Sequence, residues 1–411
     1  MRMINKQEGN PEKLYTVQCP KCHEITIKNV LIDPTKVIAT IECDNCNFSS
    51  HGLHFLVPHP IEDNSLRTAT MPKNTLTNTT KVTDSERLDM MSELQKRIIG
   101  QDHVLDQLTS VFYKWEVGMS QPQAPAGTFL LLGPTGTGKT HTVEAFAEIL
   151  FGNPKAFIKV DCAEFAHSHE IAKLLGSPPG YLGHRETQPA MTQEALARYY
   201  TDKYKCSIVL FDEIEKASDA LWNLLLGVLD KATLTLGDNR RVDFSNVFIF
   251  MTSNLGAREM QSELEPGFGF HEVEKGKVNQ NKLDEIALNA AKKRFQPEFM
   301  NRLDAKLVYR TLTRDDLSTI LEQLLDALQD RIFASKSTSA FGLNIGDDVR
   351  ELLLAKGVSR AYGARELKRS IEQNLTVPLV RLIRSGDFKT ADIVRVSAKD
   401  GKCVFKAGKS V

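Results

Sequence analysis

The sequence lacks a net charge, a long apolar run and an apolar amino-terminal segment. Lys plus Arg and Asp plus Glu both number 52 in 411 residues, so the formal net charge is zero. Balanced charge argues against a protein whose main task is to hold nucleic acid or an anionic membrane. No run approaches the roughly 18 apolar residues of a membrane-spanning helix, and the opening residues have no signal-peptide core. We therefore expect no membrane partner and a cytoplasmic protein, with nucleic acid disfavoured as a partner.

Cysteine is scarce, and four of the seven cysteines form two close pairs. Cys19 with Cys22, and Cys43 with Cys46, have the two-residue spacing of tetrahedral zinc sites. In a chain without an export signal, such pairs indicate metal ligands and not disulfides. Four thiolates leave no open coordination position, so the predicted Zn²⁺ is structural.

Composition divides the rest of the chain into regions. Residues 1–58 are predicted to form a small zinc-ribbon β module, in which 24–27 and 37–42 pair as a hairpin around 33–35. A module of this size needs its metal in order to fold. The polar tract 59–83 is rich in Thr, Asn and Pro and lacks hydrophobic periodicity, which predicts a flexible linker.

Residues 84–310 alternate short apolar runs with helical patterns, which is typical of a parallel sheet covered by helices. The apolar runs are Phe129–Leu132, Phe157–Val160, Ile208–Phe211, Val247–Met251 and Leu307–Tyr309. The predicted fold class is therefore α/β. Ligands bind such sheets at the carboxyl ends of the strands, so we expect the chemistry at that edge.

Residues 311–411 have a mostly helical pattern and are predicted to form a smaller lid domain. Thr313 and Asp316 have the spacing of a capping box at a helix start. The apolar face of the helix that follows is predicted to comprise Leu317, Leu321, Leu324, Leu328 and Ile332. A short β element over 391–406 closes the chain.

A glycine-rich stretch between an apolar run and a helical pattern matches the phosphate-binding pattern GxxxxGK[ST] in the context that it requires. Its residues are Gly133, Pro134, Thr135, Gly136, Thr137, Gly138, Lys139 and Thr140. The glycines let backbone N–H groups approach phosphates closely. Lys139 is predicted to neutralise the β- and γ-phosphates and the Thr140 hydroxyl to bind Mg²⁺, so ATP and Mg²⁺ are the predicted cofactors.

The apolar run Ile208–Phe211, with Ser207 before it, is followed by two acidic residues as in a Walker B motif. Because Mg²⁺ keeps several waters, a carboxylate at this place can hold the ion through its water shell. We assign Asp212 to the metal and Glu213 to polarising the attacking water.

With these motifs in place, the chain from Ile99 to Phe388 resembles the C-terminal ATPase module of the Clp-type AAA+ unfoldases ClpA, ClpB and ClpC. The matching stretches are Ile99–Asp102, Gly133–Thr140, Gly176–Gly183, Phe211–Ala217, Val242–Phe244, Met251–Gly256, Pro297–Asp304 and Tyr362–Arg365. The resemblance implies an AAA+ ATPase that threads polypeptides through the pore of a homo-hexamer. ClpX-type unfoldases likewise join a four-cysteine zinc module to one AAA+ ring.

The same resemblance assigns four further residues to the nucleotide. Asn254 stands at the sensor-one position, where an amide orients the attacking water. Arg302 stands where the family carries an arginine finger that reaches the γ-phosphate of a neighbouring subunit. Arg365 matches the sensor-two arginine of the lid, and Ile99 is counted with the nucleotide-binding residues.

Two loops resemble family segments that contact other proteins. Tyr181 and Leu182, flanked by glycines, resemble the pore loop that grips polypeptides, because aromatic contact needs no particular sequence. The flank 184–189 is more basic than the acidic, glycine-containing family pattern, which leaves substrate preference open. Phe268-Gly269-Phe270 is similar to the peptidase-docking tripeptide of some relatives, although its first residue is aromatic. Peptidase docking and a loop folded onto its own domain are both open interpretations.

Three hypotheses for the whole chain follow. The leading hypothesis is an ATP-dependent protein unfoldase. The second is a nucleic-acid-associated AAA+ protein in which the zinc ribbon contacts DNA or RNA. The third is a ring whose ATPase switches the assembly of a partner docked on the ribbon.

Overall fold

The computed structural model describes residues 4–5, 12–18, 25–31, 40–42, 49–51, 89–176, 189–264, 280–334, 341–357, 363–385 and 393–408. The chain divides into two compact units, residues 1–85 and 86–411. No helix of the described residues is long and apolar enough to cross a membrane.

The first unit contains two small antiparallel sheets. Its strands are β1 (Ile4–Asn5), β2 (Glu12–Gln18), β3 (Ile25–Leu31), β4 (Thr40–Glu42) and β5 (Ser49–His51). One sheet has the order β1-β2-β3 and the other pairs β4 with β5. The predicted hairpin between 24–27 and 37–42 is therefore wrong, because these segments belong to different sheets. β2 pairs instead with β3, and β4 with β5, each across a short segment that contains one cysteine pair.

A five-stranded parallel sheet forms the centre of the second unit and confirms the α/β prediction. The strands up to residue 308 are β6 (Gly127–Leu132), β7 (Ile158–Asp161), β8 (Ser207–Asp212), β9 (Thr233–Thr235), β10 (Arg241–Asp243), β11 (Val247–Ser253) and β12 (Ala305–Val308). The sheet order is β12-β6-β11-β8-β7, and β9 with β10 forms a separate hairpin. Each of the five predicted apolar runs corresponds to one strand of the central sheet.

Helices cover the central sheet on both faces. They are α1 (Met90–Gln95), α2 (Asp102–Glu116), α3 (Lys139–Phe151), α4 (Ala172–Leu175), α5 (Gln193–Ala197), α6 (Asp219–Lys231), α7 (Ala257–Leu264), α8 (Gln280–Arg294) and α9 (Pro297–Asn301). Alternate residues of one strand enter different cores: Phe248 and Phe250 of β11 join one hydrophobic cluster, and Ile249 and Met251 join the other. Burial on both faces explains why these strands are continuous apolar runs.

Residues 314–408 carry a third hydrophobic core of their own. Their elements are α10 (Arg314–Ala334), β13 (Gly342–Ile345), α11 (Asp347–Gly357), α12 (Ala364–Ile371), α13 (Val377–Ser385), β14 (Ile393–Lys399) and β15 (Lys402–Gly408), with a π-helical turn over Glu372–Thr376. The strands form a three-stranded sheet in the order β13-β14-β15.

Helix α10 begins as its sequence predicts. The Thr313 N–H donates to Asp316 Oδ2 at 2.8 Å, and the Asp316 N–H donates to Thr313 Oγ1 at 3.2 Å, which confirms the capping box. The predicted apolar face needs one correction. Leu325 is buried together with the other predicted positions, whereas Leu324 is only half-buried, because the helix turns 100° per residue and the core is centred nearer Leu325.

Candidate functional site

The residues predicted to bind phosphate, metal and the attacking water lie at the carboxyl end of three adjacent strands. The glycine-rich loop 133–138 follows β6, the acidic residues Asp212 and Glu213 end β8, and Asn254 follows β11. β11 lies between β6 and β8 in the sheet. From β6 the chain passes over β11 and β8 to reach β7 at one edge of the sheet, whereas β12 pairs with β6 on its other side. The loop 133–138 therefore lies where the direction of the strand order changes. Ligand crevices of open α/β sheets form at such points.

The loop 133–138 is built as a cradle of free backbone donors. Gly133, Gly136 and Gly138 have φ angles of 141°, 78° and 105°, a region that disfavours side chains. A Cβ on Gly133 would lie 2.7 Å from the Tyr309 carbonyl oxygen. The N–H groups of 135–138 donate to no acceptor within the described residues. Unpaired donors before the N-terminus of α3 fit the phosphates of a nucleotide.

Lys139 is almost fully buried and folded onto its own loop. Its Nζ donates to the carbonyl oxygens of Gly133 at 2.6 Å and Pro134 at 2.8 Å, and to Asn254 Oδ1 at 2.9 Å. Burial lowers the pKa of Lys139 to about 8, although the carboxylates of Glu215 and Asp212 act in the opposite direction. The Lys139 amine is thus hydrogen-bonded to three acceptors of the protein itself.

Asp212 and Glu213, hereafter the acidic pair, share one hydroxyl group. Thr252 Oγ1 donates to Asp212 Oδ1 at 2.5 Å and accepts the Glu213 N–H at 3.0 Å. The other Asp212 oxygen, Oδ2, lies 2.7 Å from Lys159 Nζ. Burial opposes ionisation of Asp212, but the hydrogen bonds from Lys159 and Thr252 outweigh it and lower the pKa of the carboxyl. Asp212 is thus an anion that fits a hydrated Mg²⁺.

Glu213 is held in an uncommon backbone conformation. Its φ of 56° and ψ of 51° lie in the left-handed region, which costs a residue with a Cβ about 1 kcal/mol. The bond from its N–H to Thr252 secures this turn. Its side chain accepts from Asn254 Nδ2 at 3.2 Å and pairs with the Lys216 ammonium.

Asn254 joins the two halves of the site. Its amide oxygen accepts from Lys139 while its amide nitrogen donates to Glu213, so one side chain bridges the phosphate cradle and the acidic pair. Its backbone N–H donates to Glu215 Oε1 at 3.1 Å. The second oxygen of Glu215 is buried without a partner within the described residues.

The helical part of the second unit touches the cradle at the start of α12. The Ala364 N–H donates to the Gly136 carbonyl at 3.1 Å. Gly363 has a φ of 49°, and a Cβ there would lie 2.7 Å from that carbonyl oxygen. Arg365 follows immediately, is exposed, and makes no side-chain hydrogen bond with the described residues.

The stretch Ile99–Asp102 is hydrogen-bonded to the cradle through Gln101. Ile99 itself is half-buried. Gln101 is fully buried, and its amide nitrogen donates to the carbonyl oxygens of Thr137 at 3.3 Å and Arg310 at 3.0 Å. The Arg310 N–H donates back to Gln101 Oε1 at 3.2 Å. Gln101 thus links the cradle to the segment that leads into α10.

Arg302 forms its hydrogen bonds with residues outside this cluster. Its guanidinium donates to the Leu226 carbonyl at 3.0 Å and to Glu298 at 2.8 Å, and lies 3.4 Å from Asp230. Within the part of the chain that the structure describes, it forms no hydrogen bond or ion pair with the cradle or the acidic pair. The structure therefore brings Lys139, Asn254 and the acidic pair together and leaves Arg302 at another surface.

Several predicted site residues lie outside the described residues. They are the four cysteines Cys19, Cys22, Cys43 and Cys46, the loop residues Tyr181 and Leu182, and the tripeptide Phe268-Gly269-Phe270. Conversely, the sequence did not point to Thr252, Lys159 or Gln101 as parts of the site. Thr252 lies near the end of β11, two residues before Asn254, and this closeness in sequence was the available signal. Lys159 had none, because only the pairing of β7 with β8 brings it near Asp212.

Two family models match the second unit. The AAA domain (Cdc48 subfamily) matches residues 124–306, and the C-terminal D2-small domain of ClpB protein matches residues 312–396. The first covers the central sheet up to the start of β12, with the cradle, the acidic pair and Asn254, and the second covers the helical part that touches the cradle.

Curated relatives and a solved structure agree with these models. The chaperone protein ClpB of Bdellovibrio bacteriovorus is 37% identical over 77% of this chain and 34% of its own length. The ATP-binding subunit ClpC of the Clp protease of Staphylococcus epidermidis is 36% identical over 74% of this chain and 36% of its own length. A closed-state heat shock protein 104 with ATPγS and casein has a TM-score of 0.68 and 27% identity, over 80% of this chain and 53% of that one. The chain thus spans about a third of the curated relatives it matches.

Proposed function

Because residues 124–396 belong to the Clp-type AAA+ ATPase family, we propose that the chain hydrolyses ATP to unfold or remodel polypeptides. The observation that carries the proposal is the single cluster in which Asn254 bridges Lys139 and Glu213 beside a cradle of free backbone donors. Phosphoryl transfer to water needs a phosphate cradle, a cation, one acid that holds the metal and one acid that polarises the water. The loop 133–138, Lys139, Asp212 and Glu213 are assigned to these four parts.

The residues divide the work as follows. Lys139 exchanges the carbonyl oxygens of its own loop for phosphate oxygens, and the N–H groups of 135–138 donate to the same anion. Thr140 and Asp212 would hold Mg²⁺, which supplies neutralisation of phosphate charge. Glu213 accepts a proton from the attacking water while Asn254 orients that water.

Arg302 and Arg365 complete the site from outside the cluster. Arg302 bonds to the carboxyl-terminal half of α6 and to Glu298 and not to the cradle of its own chain. Its role toward a neighbouring subunit of a homo-hexamer is what the family resemblance implies. We assign to Arg365 the report of nucleotide to the helical lid, and the bond from the neighbouring Ala364 N–H to the Gly136 carbonyl supports this role. Deleting the guanidinium in Arg302→Ala should abolish turnover but spare nucleotide binding. Mixing this variant with Glu213→Gln should then restore part of the turnover if the arginine acts between subunits.

We assign the gripping of the substrate polypeptide to Tyr181 and Leu182. The test is ATP-dependent loss of fluorescence from a folded reporter that carries an unstructured tail. We expect wild type to unfold the reporter and Tyr181→Ala to hydrolyse ATP without unfolding it. Tyr200→Ala, at an exposed tyrosine of the described residues, is the matched control. ATP hydrolysis by both proteins with no unfolding by either would refute the threading function.

For the first unit we propose a zinc ribbon over 1–58, joined by the linker 59–83 to an ATPase domain over 84–310 and a lid over 311–411. Strand pairing supports the ribbon, because β2 with β3 and β4 with β5 are hairpins whose connecting segments each carry one CxxC pair. Elemental analysis should find one Zn²⁺ per chain, lost in Cys43→Ser. Docking of a Clp-type peptidase through Phe268-Gly269-Phe270, and a cytoplasmic location, remain predictions.

A further inference from the structure

Lys159 forms an ion pair with the one carboxylate that the proposed function gives to the metal. Its Nζ lies 2.7 Å from Asp212 Oδ2. Lys159 lies opposite Leu210 in the pairing of β7 with β8, and Asp212 is two residues further along β8. Because alternate residues of a strand share a face, the lysine stem runs along the sheet toward Asp212.

Both oxygens of Asp212 are thereby engaged. Thr252 holds Oδ1 from a position that is 2% exposed, whereas the side chain of Lys159 is 49% exposed. The hydroxyl is neutral and buried, so it can stay in place when a cation is present. The ammonium is charged and reaches in from solvent, so it is the partner that is free to leave.

A divalent cation near Asp212 would meet this ammonium at short range. Like charges a few ångströms apart repel by several kcal/mol at the effective dielectric constant of a protein surface. The two cations therefore compete for one carboxylate. Half-exposed ion pairs add little to folding stability, so a purely structural role explains the contact poorly.

We propose that Lys159 is a counter-ion that occupies Asp212 between nucleotide-binding events and gives it up when a magnesium nucleotide binds. The inference rests on the proposed function, since it takes Asp212 as the metal-side acid. Lys159 is in this sense a positioning residue that acts through Asp212, and it sets the magnesium concentration that the site needs.

The experiment titrates Mg²⁺ against binding of a fluorescent ADP analogue to the full chain. Lys159→Met removes the competing charge and keeps the stem, and Lys159→Arg restores a charge. Lys155→Met, at an exposed lysine that precedes β7, is the matched control. We expect Lys159→Met to need about two- to fivefold less Mg²⁺ for half-maximal binding, the worth of a half-exposed ion pair. The arginine variant and the control should match wild type, and all melting temperatures should agree.

Each other outcome has a defined meaning. An unchanged magnesium midpoint in Lys159→Met would overturn the counter-ion role and leave the proposed function intact. Weaker nucleotide binding at saturating Mg²⁺ would show that Lys159 contacts the nucleotide, which also overturns it. If wild type binds no nucleotide at any Mg²⁺ concentration, the proposed function fails and this inference fails with it.

Discussion

Nucleotide binding should take up a proton at Lys139, to an extent set by pH. Burial lowers the pKa of this amine to about 8 in the nucleotide-free protein, so about half of the molecules carry a neutral Lys139 at pH 8. Phosphate oxygens next to the amine favour its charged form and raise the pKa again. Binding should therefore take up about 0.1 proton per site at pH 7, about 0.5 at pH 8 and about 0.9 at pH 9.

The assay is isothermal titration calorimetry with a non-hydrolysable ATP analogue and Mg²⁺. Titrations at each pH in two buffers of different ionisation enthalpy give the number of protons bound. Lys139→Arg is the control, because a guanidinium does not titrate in this range and the pH-dependent uptake should disappear. Uptake that does not rise between pH 7 and pH 9, or that persists in Lys139→Arg, would refute the assignment.

Three further predictions concern the site and its contact with the lid. Glu213→Gln should bind ATP normally and lose at least about a hundredfold in turnover, and near-normal turnover would remove Glu213 from its role. Thr252→Val, which deletes the hydroxyl shared by the acidic pair, should lower kcat about tenfold with little change in nucleotide affinity. Thr252→Ser keeps the hydroxyl and should restore kcat. An equal loss of kcat in both variants would contradict a positioning role of the hydroxyl. Gly363→Ala should cost about 1–3 kcal/mol, seen as a lower melting temperature and weaker nucleotide binding, because its Cβ would meet the Gly136 carbonyl. Gly227→Ala in α6, where a Cβ meets nothing within 4 Å, is the control, and equal effects of the two changes would refute the steric argument.

Local chemistry could be predicted wherever it depends on residues close in sequence. The cradle was predictable because its glycines, lysine and threonine are consecutive and lie between a strand and a helix. The buried strands were predictable because burial on both faces leaves continuous apolar runs. The capping box of α10 involves only Thr313 and Asp316, so its two hydrogen bonds could also be anticipated.

Contacts between distant segments could not be predicted in this way. The hairpin placed around 33–35 was wrong because alternating runs reveal strands but not their partners. Leu324 was assigned to the buried face in place of Leu325, since a helical pattern alone does not locate the centre of the core. Lys159 lies 53 residues before Asp212, and only the adjacency of β7 and β8 brings them together.

The sequence by itself determined the motif chemistry, the α/β class and the division into a cysteine-containing unit and an ATPase-like unit, because each depends on local spacing or composition. The tertiary structure decided which charges meet. It set Asn254 between Lys139 and Glu213, placed Lys159 on Asp212, and bonded Arg302 to α6. Such pairings follow from the order of strands in the sheet and the packing of helices on it, and these are properties of the whole chain.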